Sequence, residues 1–317
     1  MSLPATMERH QVAGYLGAIA AGVLVGWAAP GVGSGLEHAI NPVLGALLYV
    51  TFLQVPARDL VRSWRDGRFL AAALVVNFLV VPLVVAAMFG FLPADQAVRL
   101  GVLLVLLTPC VDYVIVFSGL AGGSSRRLLA ATPLLLIAQM LLLPPFLLLF
   151  LGSGLGETVD AGPFLRAFLF LIVIPLALAW LTQAWAARGR TGAAVAAGAG
   201  TAMVPLLAAT LFVVVASQVP KLTGQVTTVL RVVPFYVIFL AVLAVAGWGV
   251  ARLFRLDTGA ARAVVFTGAT RNSLVVLPLA LALSDRLSLA AAVVVTQTLV
   301  EVLGMVAYVR LVPRLVR

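Results

Sequence analysis

Long apolar runs alternate with short polar connections from one end of the chain to the other. Ten runs emerge, at roughly 11–29, 38–56, 69–92, 97–121, 128–151, 164–184, 199–219, 231–253, 260–283 and 287–309. Each is close to the length of about 20 residues that an α-helix needs to cross hydrocarbon. The pattern predicts an all-α membrane protein with ten transmembrane helices. The connections are short, so the chain reads as a single integral membrane unit with no soluble domain or linker. Residues Ala187–Gly200, "ARGRTGAAVAAGAG", read as a loop leading into the seventh run. The first run follows "MERHQ" and reads as a span rather than a cleavable signal.

Composition agrees. Of 317 residues, 63% are hydrophobic and only 10% are charged, against about 25% in a soluble domain. The net charge of +10 does not point to nucleic acid, because the arginines sit in the connections and act as topology determinants. With the N-terminus inside, one side of the membrane holds Arg9, Arg58, Arg62, Arg65, Arg68, Arg126, Arg127, Arg188, Arg190, Arg252, Arg255, Arg262, Arg310, Arg314 and Arg317. The other holds Arg99, Arg166, Lys221, Arg231 and Arg286. That asymmetry predicts a multi-pass protein of the cell (plasma) membrane with both termini cytoplasmic.

A repeat lies within the pattern. "FLQVP" (Phe52–Pro56) ends the second run and "ASQVP" (Ala216–Pro220) ends the seventh. Arg99 before run four matches Arg262 before run nine, and "TPCVDYVIVF" (Thr108–Phe117) falls opposite "TRNSLVVLP" (Thr270–Pro278). The matches keep their order at offsets of 162 to 164 residues. The chain therefore divides into a first repeat at 1–151 and a second at 152–317. Five spans is an odd number, so the two repeats are expected to be inverted, an architecture of transporters. Pro109 removes a helix hydrogen bond, and its counterpart segment carries Gly268, Pro278 and a polar centre. Spans four and nine are expected to be broken near Pro109–Asp112 and Gly268–Ser273 and to cross at mid-membrane, where a substrate site would lie.

Three charges lie deep in spans: Asp112, Arg271 and Glu301. Such groups cost about 2.5–3.5 kcal/mol or more at the bilayer centre, so they face a cavity or pair. Arg271 has two readings, a salt bridge to Asp112 or a fixed cation where another carrier binds sodium. Glu301 lies one helical turn from Gln297, on a face that Gly304 and Tyr308 extend. It is suited to exchanging a proton, or to making a structural hydrogen bond to another helix. Cys110, the only cysteine, is either a small packing residue or a soft ligand for a thiophilic solute. Asn272 and Ser273 on the second break are further substrate-site candidates, and Asn77, Gln139 and Thr270 are supporting polar residues. His10 and His38 lie at span ends, so the chain shows no nucleophile–base pair and no metal-ligand cluster. Neither an enzyme nor a cofactor is expected.

With these motifs in place, the chain resembles the bile acid/sodium symporter superfamily, and within it the arsenite efflux permeases of the arsenical-resistance-3 type. "TPCVDYVIVFSGLAGG" is similar to their span-four cysteine segment and "TLVEVLGM" to their span-ten glutamate segment. The resemblance implies ten spans in two inverted repeats with crossed broken helices at spans four and nine. It also implies arsenite efflux driven by proton exchange, with Cys110 handling the metalloid and Glu301 the coupling proton. The partners would be a small-molecule substrate, a proton and membrane lipid. The chain departs from the sodium-coupled branch, which has a carboxylate at the position of Thr267 and a glutamine at that of Arg271. It departs from the arsenite permeases in pairing Arg271 with Asp112. The alternative is a transporter of a small organic anion, sodium-coupled or not, with Arg271 as the anion's partner.

Overall fold

A computed structural model describes residues 11–54, 66–110, 113–152, 169–222, 226–281, 283 and 287–317. Asp112, the Val55-Pro56 end of "FLQVP", and Arg9, His10, Arg58, Arg62, Arg65, Arg166 and Arg286 lie outside the described residues. The described chain is helical, apart from turns and one isolated β-bridge. The helices are α1 (Gln11–Ala28), α2 (Gly33–Leu53), α3 (Gly67–Val75), α4 (Val81–Phe89), α5 (Gln96–Leu106), α6 (Tyr113–Leu120), α7 (Ser125–Leu151) and α8 (Ile174–Ala186). They continue with α9 (Arg190–Thr201), α10 (Met203–Gln218), α11 (Val226–Leu230), α12 (Val233–Leu253), α13 (Thr258–Ala269), α14 (Ser273–Leu281) and α15 (Leu289–Leu315). A π-helical turn, Val76–Val80, joins α3 to α4.

Five helical stretches among the described residues are long and apolar enough to cross a membrane: Gly35–Leu53, Gly67–Phe89, Leu134–Leu151, Val226–Leu253 and Leu289–Leu315. A sixth forms if α9 and α10, bent by 44°, are taken together. The chain is an all-α membrane protein. Exposed Leu24, Trp27, Leu83, Leu141, Leu149, Leu181 and Leu303 suit contact with lipid, where an apolar surface costs nothing.

One expectation is corrected. The stretch Ala187–Gly200 is not a loop, because α9 begins at Arg190 after an extended Gly189. Ala193, Ala194, Ala196, Ala197 and Ala199 outweigh the glycines, since alanine is the best helix former and each glycine costs only about 1 kcal/mol.

The chain forms two compact units, and each draws on both halves of the sequence. The first holds Met1–Pro56 and Ala161–Val226. In it α10 packs on α1 and α2, and α8 packs on α2. Glycines permit the closest approach: a Cβ on Gly26 would stand 2.8 Å from the carbonyl oxygen of Ala216 and 2.9 Å from Val219 Cβ. Gly22, one turn earlier, would meet Val215 Cβ at 3.0 Å. This small-residue face brings two backbones together where lipid supplies no hydrophobic drive.

The second unit holds Ala57–Asp160 and Thr227–Arg317. Here α15 packs along α5, α12 and α14, and α12 packs along α13. Asp95 and Asp257 cap α5 and α13 in the same way, accepting from the backbone N–H of Val98 at 3.0 Å and of Ala260 at 3.1 Å. Arg127, in the first turn of α7, pairs with Asp66 at 2.7 Å and also with Asp257. It thus ties together the starts of α3, α7 and α13. These groups are partly exposed, so the link contributes at most about 1 kcal/mol.

Two outcomes follow. Gly26→Leu forces α1 away from α10 and should cost about 1–3 kcal/mol, read as a lower melting temperature of the purified protein. The hydrogen bond from Arg127 holds the Asp257 carboxyl below its ordinary 3.8. The folded value is depressed, so this stabilisation is complete above the ordinary value and is lost as the pH falls through the folded one. Arg127→Ala should lower the melting temperature near neutral pH, and the difference from wild type should vanish in strong acid.

Candidate functional site: a crossing of two broken helices

Helix α5 ends at Leu106 and α6 begins at Tyr113; α13 ends at Ala269 and α14 begins at Ser273. The two interruptions lie side by side in the second unit and run antiparallel. The N–H of Cys110 donates to the carbonyl of Thr270 at 3.1 Å, and the N–H of Asn272 donates to the carbonyl of Thr108 at 2.8 Å. Pro109 and Arg271 face each other between these bonds as the pair that exchanges none. A proline there forfeits no ladder hydrogen bond. That is why a helix breaker is tolerated at this depth.

The second interruption is shorter than the sequence suggests. Gly268 and Ala269 stay helical, and Ser273 already opens α14. Pro278 lies inside α14 and does not mark the break. Gly268 matters for space instead, since a Cβ there would stand 2.7 Å from Val76 Cγ2 on the π-turn.

Two helix ends stop inside the protein, and their last carbonyls need donors. Thr108 Oγ1 serves Leu104 O and Val105 O and Thr270 Oγ1 serves Phe266 O, and Arg271 supplies three more. Its Nη1 donates to Leu106 O at 3.2 Å, at the end of α5. Its Nη2 donates to Thr267 O and Gly268 O, each at 2.7 Å, at the end of α13. Nη2 also donates to Asn77 Oδ1 at 2.8 Å, and the guanidinium lies 5.6 Å from the centre of the Phe239 ring. The charge is fully buried and lies at the negative ends of two helix dipoles. Asn77 is set by the π-turn, and its Nδ2 donates to Ala73 O at 2.9 Å and to Thr267 Oγ1 at 3.3 Å. Among the described residues, no carboxylate forms a salt bridge with Arg271.

Because Pro109 claims neither polar group of Arg271, the backbone of that residue turns outward. Its N–H donates to Glu301 Oε2 at 2.8 Å. Gln297 Nε2 donates to the same oxygen, and the Tyr113 hydroxyl donates to Glu301 Oε1 at 2.7 Å. Glu301 is fully buried and receives three donors, a set that suits the ionised carboxylate.

The remaining candidates fall as follows. Cys110 is buried on the crossing strand and is placed there by its backbone bond. Asn272 Oδ1 accepts from Val275 N at 3.2 Å and so caps α14. Ser273 Oγ accepts from Thr298 Oγ1 at 2.8 Å. Thr270 Oγ1 donates back to Phe266 O while its carbonyl serves the crossing. Gln139 is buried on α7, but neither of its amide atoms has a partner among the described residues. No hydrogen bond joins it to the cluster. Tyr113, Thr108 and Thr298 also line the site, although the sequence pattern did not single them out. The signal for Tyr113 was its place directly after the first break.

Residues 14–316 match the profile of the SBF-like CPA transporter family. The chain belongs to this family. No curated protein matches it. As an SBF-like CPA transporter, it is a multi-pass membrane protein that moves a small molecule. The match covers both compact units. It lies at the level of the bile acid symporter-like family and carries nothing specific to arsenite permeases.

The geometry sets an order of stability losses. Arg271→Ala leaves four buried acceptors without their donor, at about 1–3 kcal/mol for each that finds no other. Arg271→Lys keeps the charge but has only three donors on one nitrogen. Thermal unfolding should rank wild type above Arg271→Lys and Arg271→Lys above Arg271→Ala. Equal melting temperatures for the three proteins would contradict the capping role.

Proposed function

We propose that this chain is a secondary active transporter that exchanges a small solute for protons, with Glu301 carrying the proton and Arg271 standing as a resident cation. The observation that carries this reading is the Arg271 guanidinium seated among Asn77 Oδ1 and the carbonyls of Leu106, Thr267 and Gly268. Oxygen groups of this kind hold hard cations in other proteins. A fixed positive charge among them repels a second cation. On this reading the cage does not take sodium, and Glu301 is the buried carboxylate among the described residues that couples transport to an ion.

The same reading gives the chain ten spans in two inverted repeats, 1–151 and 152–317, with both termini cytoplasmic in the plasma membrane. In support, α7 and α15 are each 27 residues long. The capping residues Asp95 and Asp257 are 162 residues apart, and the two breaks run antiparallel. Each compact unit also draws matching elements from the two halves. In this arrangement the crossing lies near mid-membrane, where alternating access operates.

For the substrate we propose arsenite, moved outward. At neutral pH it is a small uncharged trihydroxide, soft at arsenic and polar at its hydroxyls. Cys110 follows Pro109 on one crossing strand, and Asn272 and Ser273 follow Arg271 on the strand across the bridge. One thiol engages arsenic reversibly, whereas three would trap it. Asp112, two residues after Cys110 in the sequence, is the remaining polar group of the proposed set. The organic-anion reading depends on Arg271 as the anion's partner, and with both terminal nitrogens committed to the chain's own oxygens only Nε is left for it.

Inverted vesicles test both halves of the proposal. Arsenite accumulation should follow a pH gradient, ignore a sodium gradient, and lose its pH response in Glu301→Gln. Cys110→Ser should abolish accumulation while the protein still inserts, because no second thiol can substitute. Full transport by Cys110→Ser would remove arsenite as the substrate. Sodium-driven transport that persists in Glu301→Gln would remove the proton.

A further inference from the structure

The Tyr113 hydroxyl carries one hydrogen, lies beside the Ser273 hydroxyl and has two further acceptors within reach. Glu301 Oε1 lies at 2.7 Å and the carbonyl oxygen of Arg271 at 3.4 Å. The shorter contact is to the carboxylate. The longer one is to the backbone of the residue that pairs with Pro109 at the crossing. We propose that Tyr113 is a positioning residue that reports the protonation of Glu301 to the crossing by switching its hydrogen bond from the Glu301 carboxyl to the Arg271 carbonyl. This rests on the proton-carrying role of Glu301 proposed above.

The step balances without any other reactant. With Glu301 ionised, Tyr113 donates to Oε1. A proton taken up from water onto Oε1 turns that oxygen into a donor. Its O–H then points at the Tyr113 oxygen, and the tyrosine hydrogen rotates about the C–O bond to the Arg271 carbonyl. Tyrosine keeps its own proton throughout. No heavy atom needs to move for the switch itself, because a hydroxyl serves as donor and acceptor. The consequences fall on one residue. The Arg271 N–H loses a charged acceptor for a neutral one, and its carbonyl gains a donor. Both changes act on the backbone unit opposite Pro109.

Other groups lie near the carboxyl. Gln297 donates to it from α15 and the Arg271 N–H from the break, Cys110 lies on the facing strand, and the Tyr308 hydroxyl is engaged by Leu240 O on α12. Asp112 lies outside the described residues. Gln297 is the rival acceptor, since its Oε1 has no partner among the described residues. A flip of its amide would present that oxygen to a protonated Glu301 and leave Tyr113 untouched. Tyr113 and Gln297 therefore predict different spectra.

Infrared difference spectra of the full chain in lipid vesicles, taken between alkaline and acid pH, separate the cases. The wild type should show a protonated-carboxyl band that is lost in Glu301→Gln. A change in the tyrosine C–O band should accompany it, be lost in Tyr113→Phe and survive in Tyr308→Phe. Phenylalanine keeps the edge-on ring contact with Phe117, at 6.2 Å between centroids, so the variant retains its packing. If Tyr113→Phe does not assemble, Glu301→Gln still decides, because the tyrosine change must vanish together with the carboxyl band. A carboxyl band with no tyrosine change, or with one that Tyr308→Phe removes, overturns the switch and leaves the proton reading intact. Absence of any Glu301-dependent carboxyl band overturns both.

Discussion

Two helices end inside this protein, and one guanidinium caps three of their last carbonyls, those of Leu106, Thr267 and Gly268. Everything at the crossing depends on that capping. An unpaired buried carbonyl costs about 1–3 kcal/mol, and an isolated buried charge costs more. Each problem is the solution to the other: Leu106 O, Thr267 O and Gly268 O need donors, and Arg271 needs acceptors. Asn77 Oδ1 completes the set from the π-turn between α3 and α4.

A second economy follows from the β-bridge. Pro109 sits at a position that needs no N–H, and the residue opposite it keeps both polar backbone groups for other work. The Arg271 N–H binds Glu301 and its carbonyl lies within reach of Tyr113. The side chain of Arg271 therefore holds the broken ends together while its backbone reads the acidic group on α15. One residue links the mechanical element to the titratable one, which is the connection that ion-coupled transport requires.

Much of this was legible in the sequence. The apolar runs foretold an all-α membrane protein, and Thr108–Phe117 and Thr270–Pro278 foretold two helix breaks lying close together. The pairing of Gln297 with Glu301 followed from helical spacing alone. What was not legible depends on contacts far apart in sequence. Nothing local says that Arg271 reaches back 194 residues to Asn77, or that Tyr113 meets Glu301 across 188 residues. Charge counting suggested a carboxylate partner for Arg271, because an ion pair is the usual answer to a buried charge. Helix-end carbonyls are a second answer, and they leave no trace in a list of ionisable residues. Ala187–Gly200 misled for a simpler reason: its glycines drew attention from the alanines that make it helical. Gln139 misled in the opposite way, being polar and buried yet joined to no part of the cluster by a hydrogen bond.

The central claim is that Arg271 occupies the position of a coupling cation. Its most direct test is the melting temperature of the purified wild-type protein in sodium and in choline at equal ionic strength. A ligand that binds only the folded state raises its stability in proportion to occupancy. The account predicts the same melting temperature in both salts, because the guanidinium already fills the oxygen cage. A sodium-specific rise that grows with sodium concentration would contradict it.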